Sequence, residues 1–370
     1  MFARTAVIMA YGAVAFGLLI AASPTVGGEL EDRYHAGLLE RGLFGVAEGA
    51  SLRTLRDPAA TPTEQQTAAV RLAGALAEHA RYTDGPERDA LLARAAEVLA
   101  AVRLEHPELP AVRTDLAAAL VDASHALLLG RDALPELRPT ARQAAAAVTA
   151  LRAADLRLDA LRDVLDERQK NLVRGRSRDS EPLTAEELTD LTERAGLALA
   201  KLRVLRAELA TDKAMRERLA ESATYFALPI RRAERLATRS VLLADSRRLS
   251  GDSRGASEAL AVIAGTPGDS QAAAMLRLRT EMAGPGSAAA RVATLRGEEN
   301  SATPTVLGAE TEFVSAAVLA RLATEARTAG RADLADRLLA RLKRDADRAV
   351  ATHGGPWAAR ARRIATLAGR

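Results

Sequence analysis

Apolar residues recur with helical periodicity in nearly every window of this 370-residue chain from Glu29 onward. No segment shows the sustained alternation of apolar and polar residues that marks a half-buried β-strand. Aromatic residues make up only 3% of the chain, whereas sheets favour aromatic and β-branched side chains. The sequence therefore predicts an all-α protein whose helices pack closely through Ala and Leu.

Two long helices are predicted in the middle of the chain, where residues 140–174 contain neither proline nor glycine. Apolar residues recur there every seven positions, and a second stripe of the same period follows. The first stripe is Leu151, Leu158, Leu165 and Leu172, and the second is Leu188, Ala195, Leu202 and Leu209. Such stripes let two helices pack along one seam. We expect a coiled-coil-like antiparallel hairpin over 139–211, which either projects or lies within the helical array.

Three further stretches space small and large apolar residues as stacked helix pairs do. They are Ala95, Leu99, Val102 and Pro107; Leu243, Ala244, Ala256, Leu260, Ile263 and Pro267; and Leu319, Leu322, Ala323, Ala326, Gly330, Ala335, Leu339 and Leu342. The pattern resembles that of tetratricopeptide-repeat-like (TPR-like) α-solenoids of the bacterial envelope. The resemblance implies TPR-like helix pairs over 29–138 and 212–370, on either side of the hairpin. It also implies a concave binding surface and no reaction.

Two segments have the spacing of a capping box, in which Ser or Thr is followed three residues later by Glu or Gln. Thr63 with Gln66 predicts the start of one helix, and Thr184 with Glu187 predicts the start of the second long helix. Each box satisfies backbone N–H groups that would otherwise lack a partner at a helix start.

The N-terminus resembles an export signal over residues 1–28. Arg4 precedes the uncharged apolar run Thr5–Ala22, and small residues follow as far as Gly28. We expect cleavage near Ala22 to Gly28. The alternative is a retained inner-membrane anchor, because about 18 apolar residues is near the lower limit for a span. In both cases the remaining chain lies in the periplasm or envelope of a bacterium.

The charge pattern argues against nucleic-acid binding. The chain has 52 Lys and Arg against 48 Asp and Glu, and the two signs are interleaved along the helices. Phosphate binding usually needs a concentrated basic face. Because the chain has no cysteine, disulfides, thiolate metal sites and a cysteine-linked lipid anchor are excluded.

Two short motifs have the residue types of hydrolase sites. Glu221-Ser222 matches the catalytic dipeptide of bacterial lytic transglycosylases, yet no glycine-rich or aromatic sugar-binding segment accompanies it. The segment 251–255, Gly-Asp-Ser-Arg-Gly, matches the nucleophile elbow of serine hydrolases. That elbow requires a strand before the serine, whereas this segment lies between two predicted helices. We therefore predict no catalytic residue.

Two Asp-x-x-His pairs have the spacing that di-iron helical bundles use. Asp32 with His35 and Asp122 with His125 each place a carboxylate and an imidazole on one helix face. Those bundles also require further carboxylates from other helices. We interpret both histidines as surface or packed residues and predict no metal and no cofactor.

Four residues are candidate partner contacts. Arg174, Arg176 and Arg178 lie between the two long helices, where positive charge is densest. They form either a solvated loop or a contact for an anionic partner. Trp357 follows the turn 353–356 and either fills a gap in an Ala-rich core or, if exposed, contacts a partner, since Trp is enriched at binding hot spots.

The sequence favours a non-catalytic, exported scaffold or adaptor that binds a protein, a peptide or an envelope component on its helical surface. Two alternatives stay open. One is an envelope hydrolase with Glu221 as its acid, and the other is a membrane-tethered assembly subunit. Because helical periodicity continues to Arg370 without a polar capping helix, we also expect an open apolar face at this end that joins copies of the chain or meets further sequence.

Overall fold

The computed structural model describes residues 24–174, 183–262, 308–328 and 330–369, and all structural statements concern these residues. They form thirteen α-helices and two 3₁₀ turns, Pro135–Leu137 and Ala233–Arg235, and contain no β-strand. The helices are α1 (Pro24–Glu40), α2 (Phe44–Arg56), α3 (Pro62–Ala80), α4 (Gly85–Glu105), α5 (Ala111–Asp132), α6 (Ala141–Val173), α7 (Ala185–Leu209), α8 (Lys213–Ala227), α9 (Leu236–Leu249), α10 (Ser253–Ala261), α11 (Gly308–Thr328), α12 (Ala332–Thr352) and α13 (Gly355–Ala368). The all-α prediction is confirmed.

Helices α1 to α10 form a two-layer array. Within the array, consecutive helices pack against each other, and so do consecutive odd-numbered helices from α1 to α9. The odd-numbered helices therefore form a continuous layer, and the even-numbered helices pack along its side. This is the stacked-pair arrangement of an α-solenoid, in which each unit buries its apolar face against its neighbours.

The apolar positions of the three repeat-like stretches lie at the contacts between paired helices. Ala95, Leu99 and Val102 are buried on α4, which packs against α3. In the second stretch, the described residues lie where α9 packs against α10. In the third stretch, they lie where α11 packs against α12. Ile263 and Pro267, at the end of the second stretch, lie outside the described residues.

Two helix starts test the predicted capping boxes. Thr184 and Glu187 form a complete box at α7, which confirms the prediction. At α3 the prediction was wrong by two residues, because the box is formed by Thr61 and Glu64. Pro62 occupies the first turn of α3, where its fixed φ and missing N–H suit a helix start.

The predicted long hairpin consists of α6 and α7, which pack against each other. Leu151, Leu158 and Leu165 on α6 are fully buried, as are Ala195 and Leu202 on α7. Helix α7 also packs against α5, α8 and α9. The seam between the two heptad stripes is therefore continuous with the core of the array, and α7 is one of its central helices.

Gly130 marks the closest approach of α5 to the hairpin. A Cβ at this position would lie 2.5 Å from Leu205 Cδ2 and 3.0 Å from Leu151 Cδ1, and both leucines are buried. We expect Gly130→Ala to lower the free energy of unfolding by about 1–3 kcal/mol through overpacking, despite the gain of about 1 kcal/mol in helix propensity. Urea unfolding followed by circular dichroism measures this change.

Gly74 on α3 provides the matched control. It is an exposed helical glycine whose added Cβ meets nothing within 4 Å. Gly74→Ala is expected to raise the free energy of unfolding by about 0.5–1 kcal/mol. Shifts of the same sign in the two variants would contradict the close packing at Gly130.

Helices α11, α12 and α13 pack against one another and form a C-terminal unit. Phe313 of α11 and Trp357 of α13 are buried at its centre, with ring centroids 5.3 Å apart. Ala361 and Ile364 of α13 are buried as well. The expected contact between copies of the chain at this end stays a prediction.

The C-terminal unit packs against the array at the junction between α5 and α6. The 3₁₀ turn Pro135–Leu137 contacts both α11 and α13. Arg360 of α13 donates from Nε to Asp132 at 2.6 Å and from Nη2 to Asp84 at 3.0 Å. Arg360 is only 9% exposed, so these bonds tie α13 to the ends of two array helices.

Candidate functional site

A crevice of about 520 Å³ lies where the C-terminal unit meets the array. Its volume falls within the range of about 300–1,000 Å³ that is usual for ligand sites. Apolar and charged side chains from six elements line it. They are Pro135, Glu136, Arg138, Glu208, Arg216, Arg248, Leu249, Ala320, Arg321, Thr324, Glu325, Leu367 and Ala368.

Arg138 reaches the crevice from a left-handed backbone. Its φ of 49° makes it the one non-glycine residue with positive φ in the described part of the chain. A left-handed conformation costs an ordinary residue on the order of 1–3 kcal/mol and persists only where the surroundings impose it. Here the 3₁₀ turn before Arg138 and the capping box of Thr140 after it fix the backbone.

Glu136 and Arg321 join the two sides of the crevice. Arg321 approaches Glu136 Oε1 through Nε at 2.7 Å and through Nη2 at 2.6 Å. The Glu136 side chain is 8% exposed, and its Oε2 has no hydrogen-bond partner among the described residues. Breaking such a buried pair leaves an uncompensated charge, so this contact holds α11 against the 3₁₀ turn.

Glu208 anchors the opposite wall. Its side chain is 1% exposed and lies 3.3 Å from Arg248 and 3.8 Å from Arg131. Arg248 also pairs with Asp245 at 2.5 Å. The Arg248 guanidinium is therefore held by two carboxylates, which fixes its orientation in the wall.

The crevice has an excess of positive charge. Four arginines and three glutamates line it, and Arg248 and Arg321 are the two arginines that are paired with carboxylates. Arg138 and Arg216 have no ion pair with a described carboxylate, and Arg216 donates only to the carbonyl oxygen of Ala210, at 3.1 Å. An anion can therefore interact with Arg138 or with Arg216 without displacing a wall contact.

Of the candidate contacts predicted from the sequence, Arg174 and Trp357 are described, and neither lines this crevice. Arg174 is exposed just after the end of α6, and Arg176 and Arg178 lie outside the described residues. Their role stays a prediction.

Trp357 is a buried core residue, as expected if it fills a gap in an Ala-rich core, and it is not an exposed contact. It is 1% exposed, with Phe313 on one side and the Arg360 guanidinium 4.8 Å from its ring centroid. Positive φ values at Gly354 and Gly355 start α13 with a sharp turn. That turn places the indole in the first turn of the helix, facing α11.

The residues considered for hydrolysis lie elsewhere. Glu221 is exposed on α8, and the Ser222 hydroxyl accepts a hydrogen bond from Arg203 Nη1. In segment 251–255, Asp252 caps α10 by accepting from the backbone N–H of Gly255 at 2.8 Å. Neither motif lines the crevice.

Sequence reasoning missed the crevice because its residues come from distant segments. Glu136 and Arg321 are 185 positions apart, and each alone has the pattern of an ordinary surface charge. The one local signal is the turn that begins with Pro135. Arg138 follows this turn, shortly before the capped start of α6.

Glu312 gives the C-terminal unit a pH-dependent stability. It is buried on α11, and its ion pair with Arg348 is long, at 3.8 Å. Burial raises the pKa of its carboxyl; Arg348 opposes this shift and Asp345 adds to it. Folding thus favours the protonated form, so this contribution is complete below the ordinary Glu pKa of about 4.3 and is lost as pH rises through the raised pKa.

Glu312→Gln removes that charge. We expect the variant to unfold at a higher temperature than the parent at pH 8, and the difference to shrink as pH approaches about 4. Thermal unfolding at both pH values measures it. Glu325→Gln, an exposed site on the same helix, serves as the control; a pH-independent difference for Glu312→Gln would contradict the argument.

Two searches of the described residues bear on other functions. No group of three or more His, Asp or Glu side chains is placed to share a metal ion. No described helix combines the length and apolar character needed to cross a bilayer. The predicted export segment lies largely outside the described residues, which begin at residue 24. Comparisons with protein-family models, with curated proteins and with solved structures found no match.

Proposed function

We propose that this chain is a non-catalytic, TPR-like binding protein that holds a segment of a protein or peptide partner in the crevice between its array and its C-terminal unit. The observation that carries the proposal is the construction of the crevice. Two of its arginines are held by carboxylates in its walls, and two others have no partner among the described carboxylates. Convergent polar groups in a pocket with an apolar part are typical of ligand sites.

The helical array suits this function because a stacked solenoid presents an extended, rigid surface. A segment in the crevice would lie beside the ends of α7 and α9, and the rest of the partner could follow the array. The exposed position of Glu221 outside the crevice gives the hydrolase alternative no support.

Site-specific photo-crosslinking in the native host tests the proposal. A benzoylphenylalanine at Thr324, which lines the crevice, is expected to yield one defined crosslinked partner. The same group at Thr149, an exposed position on α6, is the matched control. Identical products from both positions, or none from Thr324, would overturn the proposal.

We also propose that the chain acts outside the cytoplasm, on the strength of its N-terminal segment. Mass spectrometry of the protein purified from envelope fractions identifies the mature N-terminus. A new N-terminus between Ala22 and Gly28 supports removal of the segment, and an uncleaved membrane-bound chain supports the tethered alternative. Recovery in the cytoplasm only would overturn both.

A further inference from the structure

We propose that the group bound in the crevice is a carboxylate attached to an apolar body, supplied by the free C-terminus of a peptide. This inference rests on the proposed function and narrows its ligand to one chemical class. Three features of the crevice carry it: two arginines without an ion pair to a described carboxylate, the backbone that presents one of them, and the apolar residues that share the lining.

The arginine pair selects the charge of the ligand. Arg138 and Arg216 face the crevice without an ion pair to a described carboxylate. The four lining arginines exceed the three lining glutamates by one, so a single negative charge balances the site. Planar guanidinium groups match the two oxygens of a carboxylate geometrically. A dianionic phosphate would leave this site with excess negative charge.

The left-handed backbone positions one of these donors in advance. Because φ at Arg138 is 49°, its Cα–Cβ bond points in a different direction from that of a turn residue with negative φ. A strained conformation next to a binding surface is a common form of preorganisation. Glycine would remove the strain, since it adopts positive φ without steric cost.

The other residues that line the crevice determine what kind of body carries the carboxylate. Leu249, Ala320 and Leu367 provide apolar surface, whereas Thr324 and Glu325 place polar groups on α11. The C-terminus of a peptide has an apolar and a polar part, because an aliphatic side chain lies next to its carboxylate and backbone amide groups lie beyond it. A fatty acid also has a carboxylate, but it has no polar group that could contact Thr324 and Glu325.

The test uses the full chain and a pool of random-sequence hexapeptides, prepared once with free C-terminal carboxylates and once as C-terminal amides. Affinity selection with mass spectrometry measures retention, and decanoate is titrated in parallel. We expect retention of free-acid peptides with aliphatic ends, about tenfold or more above their amides. Equal retention of acids and amides would overturn the inference. Decanoate binding without peptide binding would overturn the peptide assignment.

Matched variants locate the binding. Arg138→Met and Arg216→Met are each expected to weaken retention of the selected peptides about tenfold or more. Arg218→Met, an exposed site on α8 outside the crevice, is expected to leave it unchanged. Arg138→Gly should weaken binding while keeping or raising the unfolding temperature, so that loss of binding cannot be attributed to misfolding. Unchanged binding by both methionine variants would overturn the site.

The inference and the proposed function fail in different ways. A defined partner crosslinked at Thr324, together with peptides that bind equally as acids and amides, would leave the proposed function standing and refute the carboxylate. Absence of a specific crosslink, together with free-acid peptides that depend on Arg138, would refute the macromolecular partner while keeping the carboxylate site.

Discussion

Replacement of Trp357 by alanine is expected to lower the free energy of unfolding by about 3–5 kcal/mol, the usual effect of deleting a large buried aromatic side chain. The indole is 1% exposed and packs against Phe313. Its face also lies against Arg360, which ties α13 to the array. The variant therefore loses core contacts and loosens the attachment of the C-terminal unit.

Urea unfolding followed by circular dichroism measures the effect. Leu104→Ala is the control, because Leu104 is 82% exposed on α4 and surface substitutions usually change stability by less than about 0.5 kcal/mol. Trp357 is the only tryptophan of the chain, so the parent's fluorescence reports directly on its surroundings. A loss below about 1 kcal/mol, or the emission of a fully hydrated indole, would contradict the burial.

Replacement of Asp155 by alanine is the second large effect, with an expected loss of about 3–5 kcal/mol. Asp155 lies on α6, is 5% exposed, and accepts from Arg203 Nε at 2.8 Å and from Arg206 Nη1. Both arginines belong to α7 and are largely buried. Removing the carboxylate leaves two guanidinium groups without their main counter-charge, and this destabilises the hairpin seam.

Asp159→Ala isolates the effect of burial. Asp159 lies one turn further along α6, pairs with the same Arg203 at 3.2 Å, and has a side chain that is 46% exposed. An exposed pair contributes about 0–1 kcal/mol, so a small loss is expected. Urea unfolding of both variants gives the comparison, and similar losses would contradict the claim that Asp155 acts as a buried counter-charge.

The features that the sequence predicts well are those set by local periodicity. The heptad leucines Leu151, Leu158 and Leu165 face a partner helix because a period of seven keeps them on one side of α6. The helix start at Thr184 is equally local, since its hydrogen bonds reach only to Glu187.

A helix start is harder to predict where two neighbouring residues could each form the capping box. Thr61 with Glu64 and Thr63 with Gln66 both have capping-box spacing. Pro62 fits the start at Thr61, because proline at the first helical position has a preset φ and lacks an N–H that would need a partner. Gln66 is instead buried and donates to the carbonyl oxygen of Pro110 at 3.3 Å, a contact with another helix start that spacing does not reveal.

The crevice depends on tertiary contacts and lies beyond local patterns. Arg360 meets Asp132 across 228 positions and Arg321 meets Glu136 across 185, and these contacts place α13 and α11 beside the turn that precedes Arg138. Sequence reasoning offers a binding function on a helical scaffold as a hypothesis. It assigned the contacts to the densest charge and to the lone tryptophan, whereas the charged residues of the crevice come from the turn before α6 and from α7, α8, α9 and α11.

The most direct test of the account measures whether the crevice is preformed. The chain has no cysteine, so spin labels can be placed at Lys213→Cys on α8 and Thr328→Cys on α11, both exposed positions outside the crevice lining. Pulsed electron paramagnetic resonance then gives the distance distribution across the crevice. The account predicts one narrow distribution for the free protein that stays narrow when free-acid peptides are added. A broad distribution in the free protein would contradict it, because the C-terminal unit would then not hold a fixed site against the array.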